Sequence, residues 1–264
     1  MTTAKAGSSL LLYNWPTSTC SQKVRMCLHF KGLSWDERIL DWKNDEHLSA
    51  WYLDLNPNGV VPTLVHDGAI ITDSSVINEY LEDVFPEPGL LPKDAPGKAR
   101  VRAWRQFIDE VPTPAIRIPS MNNRVAPVFA RLGEDEYQDR VRRRTIRRHF
   151  YARMGKAGFS EAEVIESLER LRDTVQRMEA ALKASSWLAG SQMTIADISI
   201  APTIVRMEDT GLRTLWTDCP HVVQWYARIQ AEPCFKATFH AGARHEGTTY
   251  RPDLLAAVLR NVDT

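Results

Sequence analysis

Hydrophobic and polar positions divide the chain into two parts of different rhythm. In the first, Leu10 to Asn14 is an apolar run with the length of a buried strand. From Thr19 to Lys31, Val24, Cys27, Leu28 and Lys31 share one face at helical spacing, and Gly32 closes the segment. Trp35 to Leu40 alternates like a second strand, and His47 to Leu55 fits a short helix ended by the turn residues Asn56-Pro57-Asn58-Gly59. Val60 to His66 and Ala69 to Thr72 flank Asp67-Gly68, the two-residue signal of a tight hairpin. Behind Asp73-Ser74-Ser75, the positions Val76, Ile77, Tyr80, Leu81 and Val84 are apolar at helical spacing. The predicted order is β-α-β-α-β-β-α.

Phe85 to Pro92 carries three prolines and a glycine, which cannot continue a helix and read as a linker. Beyond it the spacing is helical nearly throughout. Val101, Trp104, Phe107 and Ile108 mark one helix, which Pro112, Pro114 and Pro119 should bend or end near Val111. Val164, Leu168, Leu171, Val175, Met178 and Leu182 mark another, and Ile195 to Met207 a third. The expected class is α/β followed by all-α: a mixed domain over 9–85, a linker over 86–95, a helical domain over 96–240 and a tail over 241–264, where Asp253 to Asn261 fits one more short helix.

Composition narrows the partners. In 264 residues Lys+Arg and Asp+Glu both number 33, so no net field recruits nucleic acid or an anionic membrane. The run Arg140 to Arg148 holds six arginines, but Glu134, Asp135, Glu136 and Asp139 precede it, and a solvated helix face explains it better than a nucleic-acid patch. Cys20, Cys27, Cys219 and Cys234 form neither a C-x-x-C pair nor a metal-ligand spacing, which fits reduced thiols in the cytoplasm and no metal site. The first nine residues lack the apolar core of a signal peptide, and no run approaches the roughly 18 apolar residues of a membrane span.

Three stretches carry candidate chemistry. Pro62, at the head of a strand, has no N–H for a ladder; a cis bond would turn the Val61 backbone outward to pair with a peptide-like ligand, although local sequence alone favours an ordinary trans proline. Asp73-Ser74-Ser75 stands at a strand-to-helix junction, where Ser74 is either a plain cap or a donor beside free N–H groups that suit a carboxylate. "WPTSTCSQKVR" (15–25) has the same geometry, with Ser18 at the positive end of a helix and Cys20 either a nucleophile or a small core residue. Thr194-Ile195-Ala196-Asp197 is a capping box with a structural role.

Taken in order, Ser-Thr-Cys-Ser with Lys23-Val24-Arg25, "NPNGVVPTL", the Asp-Gly turn, "TDSSVINEYLE", the proline-rich linker and the helices resemble the cytosolic glutathione transferase superfamily, over about residues 9 to 240. The resemblance implies a thioredoxin-like N-terminal domain, glutathione as co-substrate, a small aromatic or other electrophilic second substrate, and a homodimer. It implies that Val61-Pro62 pairs with the cysteinyl backbone of glutathione and that Asp73 and Ser74 hold its γ-glutamyl end. His47 is implied to hold the glycyl carboxylate, with Lys43 as an equal candidate. Ser18, with Cys20 and Ser21, would hold the thiolate, and serine at 18 favours conjugation over thiol exchange. The second substrate would lie against Trp104, Phe107, Ile108 and also Met121.

"STCSQKVRMCLHFKGL" looks like the zeta class, the maleylacetoacetate isomerases, from which Thr19, Gln22 and Asp73 depart. The stretches around "HDGAIITDSSVINEYLEDVFPE" and "RVRAWRQFIDE" look more like the bacterial β-aryl etherases. Three expectations follow: a transferase or lyase for aromatic ethers, a zeta-like isomerase, or a non-catalytic ligand-binding protein.

Overall fold

A computed structural model describes residues 9–245 and 250–260; residues 1–8, where the signal-peptide question falls, lie outside it, as does Asn261. Strand β1 (Leu10–Asn14) lies at the centre of a four-stranded sheet of order β2-β1-β3-β4. It pairs parallel with β2 (Asp36–Ile39) and antiparallel with β3 (Thr63–His66), which forms a hairpin with β4 (Ala69–Thr72). The crossover from β1 to β2 is α1 (Thr19–Phe30). Between β2 and β3 the single helix expected over 47–55 is instead a 3₁₀ turn, Glu46–Leu48, and α2 (Ala50–Leu55), divided at Ser49, whose backbone is extended. After the hairpin, α3 (Ser74–Val84) completes the β-α-β-α-β-β-α order.

The helical part begins with α4 (Ala95–Glu110) and α5 (Pro112–Arg124), broken at Val111 as the prolines require. Pro119 persists inside α5 because the carbonyl it leaves unpaired, that of Ala115, accepts the Ser167 hydroxyl at 2.7 Å. Then come α6 (Ala126–Phe129), α7 (Glu134–Arg143), α8 (Arg148–Met154), α9 (Glu161–Leu182) and α10 (Ile195–Asp209). The described chain closes with α11 (Pro220–Ala231), α12 (Pro233–Thr238) and α13 (Pro252–Arg260), the last packed on α9.

One core runs through both parts. Ser21 to Leu28 are all buried, because α1 is packed against α3, α10 and α12. The amphipathic reading of this helix is therefore corrected: its polar side is also inside. Gln22 donates to the Ala243 carbonyl at 2.6 Å, Arg25 to the Thr238 carbonyl at 2.7 Å, and Lys23 to Ser75 and Asp109 at 2.7 and 2.9 Å. Each buried donor meets an acceptor, as burial demands. The linker is pinned in the same way: the buried Lys31 ammonium holds Glu82 at 2.6 Å, and Glu82 accepts the Leu90 and Leu91 N–H groups.

Candidate functional site

The site is built where β1 runs into α1. Ser18 caps the helix from an extended backbone, and its Oγ accepts the Ser21 N–H at 3.3 Å. A hydroxyl that accepts one bond keeps its own proton to donate. The Thr19 and Cys20 N–H groups, at the positive end of α1, have no backbone acceptor among the described residues. Ser18, Thr19 and Cys20 all keep some exposed surface. Ser21 does not: it is fully buried and its Oγ accepts the Trp15 N–H at 3.4 Å. The expectation that Ser21 shares in holding a thiolate is corrected, because the turn of the helix aims position 21 inward, where it braces the loop.

Val61-Pro62 is a cis peptide, and the Val61 N–H and C=O pair with no other backbone group among the described residues. Asp73 takes φ 71°, a conformation that costs an L residue on the order of 1–3 kcal/mol. Its Oδ1 accepts the Ser75 and Val76 N–H groups at 2.9 and 3.2 Å, so it is Asp73, not Ser74, that caps α3. Ser74 follows as the first helical residue, with a hydroxyl that has no partner among the described residues. Ser75, buried behind it, donates to Asp109 at 2.6 Å and accepts from Lys23 at 2.7 Å, which ties α1, α3 and α4 together beside the site.

His47 is 3 % exposed, with its ring edge-on to Trp15 at 5.0 Å. Its Nε2 lies 3.0 Å from Arg144 Nη1. A guanidinium only donates, so Nε2 accepts and Nδ1 carries the proton. That Nδ1 is buried and has no partner. Asp45 joins Arg140, Arg143 and Arg144 at 3.8, 3.3 and 3.4 Å, so half of the arginine run holds the helical part to the loop before α2 rather than facing solvent. Lys43 stands on an exposed turn whose backbone is held by Asp41.

Burial, with Arg144, Arg143 and Arg147 nearby, pulls His47 down to about 3, and burial beside Arg206 and Arg124 does the same to His245. Both imidazoles are neutral in the folded chain, whereas the unfolded chain protonates them below about pH 6.5. Stability from these groups is therefore full above pH 6.5 and is lost as the pH falls toward 3. For His47 the loss at pH 5 is about 2 kcal/mol as an upper bound. Urea midpoints at pH 7.5 and pH 5 measure it, and equal midpoints would contradict this assignment.

The residues expected to wall a second-substrate pocket differ in exposure: Trp104 and Phe107 are half-buried, whereas Ile108 has no exposed surface and belongs to the core. Trp104 and Phe107 lie under the Arg177 guanidinium, at 5.2 and 4.0 Å from the ring centroids. Trp104 lines a cleft of about 450 Å³ with residues of α9 and the loop after it, and neither the 17–22 nor the 61–75 segment reaches that cleft. Beyond the break at Val111 comes α5, which packs on α10 and on which Arg117, Met121 and Arg124 share a face at i, i+4 and i+7. Opposite stands Arg206 of α10, which donates to the Thr17 carbonyl. Sequence reasoning missed Arg117 and Arg206. For Arg117 a signal existed, a charge inside the otherwise apolar Ala115-Ile116-Arg117-Ile118.

Among the described residues no cluster of His, Cys, Asp or Glu is arranged to hold a metal ion, and no helix is long and apolar enough to cross a membrane. The donors left unpaired among the described residues instead suit an extended peptide that ends in a carboxylate: the Val61 peptide at its middle and the Ser74 hydroxyl at one side.

Comparison with known proteins agrees with that geometry. Residues 17–84 match the profile "Glutathione S-transferase, N-terminal domain" and residues 136–228 match "Glutathione S-transferase, C-terminal domain". Protein LigF of Sphingobium sp. is 28% identical over 246 residues, 90% of this chain and 96% of that one. The crystal structure of the same protein, described as the β-etherase LigF, superposes with a TM-score of 0.80 over 88% of this chain and 98% of that one. Glutathione S-transferase 1 of Dianthus caryophyllus is 32% identical over 196 residues, 74% of this chain and 75% of that one. A probable maleylacetoacetate isomerase of Caenorhabditis elegans is 32% identical over 195 residues, 74% and 77% of the two chains.

Proposed function

The chain belongs to the glutathione S-transferase family, and from that premise we propose that it activates the thiol of glutathione at the Ser18 helix start for cleavage of a β-aryl ether, the activity for which its relative, the β-etherase LigF, is named. That the enzyme is a glutathione transferase with glutathione as co-substrate stands on the family itself.

Bound glutathione supplies a nucleophilic sulfur, whose attack on the ether-bearing carbon beside a ketone makes a C–S bond and releases a phenoxide. The chain's part is to hold that sulfur as an anion and in line. The Ser18 hydroxyl donates to it, and the unpaired Thr19 and Cys20 N–H groups with the α1 dipole favour its charge. Cys20 is a neighbour of the reacting sulfur rather than the nucleophile. The Val61 backbone holds the cysteinyl unit, Asp73 and Ser74 take the γ-glutamyl end, and the glycyl carboxylate falls to His47 or to the exposed Lys43. The observation that carries this reading is the half-buried Ser18 hydroxyl at a helix start with two unpaired N–H groups beside it.

A homodimer belongs to the same reading. It is supported by Ile70 on β4 and Val76 on α3, 47% and 51% exposed on neighbouring elements. Four free cysteines support a cytoplasmic setting. The zeta-like isomerase is the second reading, supported by the C. elegans relative.

The test mixes protein and glutathione with an α-keto β-aryl ether bearing a fluorescent phenol, with a maleylacetone-type substrate and with a generic aryl chloride. Release of the phenol is expected. Isomerisation alone transfers the protein to the second reading, and binding of glutathione without turnover of any substrate overturns both.

A further inference from the structure

Arg117 is the charge on the site's wall that the family's chemistry leaves unexplained. It sits in mid-helix on α5 with apolar neighbours on both sides. Among the described residues it has neither a hydrogen bond nor an ion pair; its nearest aromatic contact is the Phe150 ring, whose centroid is 5.7 Å from the guanidinium carbon. Burial, together with Arg147, pulls it down to about 10, and yet the side chain keeps part of its surface in contact with solvent. Its neighbours border the reacting end of the glutathione site from two sides: α5 packs on α10, whose Arg206 donates to the Thr17 carbonyl next to Ser18, and Phe150 precedes Tyr151, whose ring lies under the Arg144 that meets His47.

The surrounding charge is positive. Arg124 shares the α5 face with Arg117 and also has no carboxylate partner among the described residues, and Arg206 donates to the Thr17 carbonyl. The acid near Arg206, Asp209, is itself bound by Arg244 at 2.5 Å. His245, beside Arg206 and Arg124, is held neutral and adds no opposing charge. Guanidinium groups are not left desolvated and unpaired without cost, and a planar fork is suited to a carboxylate. With Met121 and Phe150 as apolar and aromatic surface around it, the wall is complementary to an aromatic ring that carries an anion.

We propose that Arg117 binds a carboxylate on the aromatic part of the second substrate, so that the enzyme selects carboxylated aryl electrophiles over neutral ones. This rests on the placement of the glutathione thiol at Ser18, and it holds for any electrophile delivered to that thiol. Arg206 and Arg124 set the potential around the carboxylate, and Arg117 contacts it.

The experiment has a binding arm and a turnover arm. In the first, 4-hydroxybenzoate and its methyl ester are titrated calorimetrically into glutathione-loaded protein, wild type and Arg117→Gln. The wild type is expected to bind the carboxylate roughly 10- to 100-fold more tightly than the ester, the range of a charge-assisted hydrogen bond, and Arg117→Gln is expected to erase the difference while leaving ester binding unchanged. Arg117→Lys, which keeps the charge without the fork, should retain part of the preference. Equal binding of acid and ester to the wild type, or a preference that survives in Arg117→Gln, overturns the proposal. In the second arm, matched aryl ethers with and without a ring carboxylate are compared by kcat/KM, and the bound thiolate is titrated by its ultraviolet absorbance in both proteins. A raised thiolate pKa in Arg117→Gln, with both ethers slowed alike, also overturns it, since the arginine would then serve the sulfur. If no ether is cleaved but the acid still binds through Arg117, the carboxylate site stands and the etherase reading falls.

Discussion

Ser18→Ala is expected to lower turnover roughly 10²-fold while glutathione still binds, the loss seen when one preorganised donor to a developing or stabilised anion is removed. Two roles of the hydroxyl must be separated. Its oxygen caps α1 by accepting the Ser21 N–H, and loss of a cap costs about 1 kcal/mol of stability. In the proposed role its proton is offered to the thiolate, and loss of that donor would raise the thiol's pKa toward the free value of about 8.5. Thermal melting reads the first role, and ultraviolet titration of bound glutathione reads the second. Ser18→Thr, which keeps both, should retain most of the activity. If Ser18→Ala turns over at the wild-type rate, the sulfur is held by Thr19 or Cys20. Ser21 is no longer among the alternatives, because its Oγ accepts the Trp15 N–H and it has no exposed surface.

Asp197→Ala is expected to lower the melting temperature by roughly 10 °C without altering the glutathione site. This carboxylate is fully buried at the start of α10, where it accepts the Leu188 N–H at 3.0 Å, the Thr194 N–H and hydroxyl at 2.9 and 3.0 Å, and the Trp225 indole N–H at 2.9 Å. Burial pushes its pKa up, and these donors oppose that. Alanine would leave the donors unsatisfied in a dry core. At about 1–3 kcal/mol for each unsatisfied group, with partial rescue by water, the total is about 4 kcal/mol. For a chain of this size 1 kcal/mol is roughly 2–4 °C. Calorimetric melting checks it; a shift under about 3 °C would mean that the four bonds do not hold the helix start in place. Glutathione affinity of the folded fraction, measured well below the melting point, should be unchanged, since none of the three partners, Leu188, Thr194 and Trp225, belongs to the site.

These two residues differ in how far the sequence reveals them. The Thr194-Ile195-Ala196-Asp197 box is legible because both halves of the cap lie within one helical turn. For the same reason the hairpin at Asp67-Gly68, the break at Val111 and the order of strands and helices were readable: each depends on residues a few positions apart. The short helix over 47–55 was misread as one piece. Asp45, at φ 53°, is drawn to three arginines about a hundred positions away, and the chain between Asp45 and Ala50 bends to suit that contact.

By itself, then, the sequence determined the α/β-then-helical plan, the two helix starts at Ser18 and Asp73-Ser74 and the cap at Thr194, all through patterns of period and punctuation that act locally. Only the tertiary structure decided that Ser21 turns inward, that Val61-Pro62 is cis, that α4 ends at Val111 so that Arg117 falls on α5, and that Arg117 has no hydrogen bond or ion pair among the described residues. Periodicity tells which positions of a helix differ in polarity, but not what lies opposite each face. On α1 that was settled by Gln22 meeting Ala243, 221 positions along the chain, and such contacts leave no mark in local spacing.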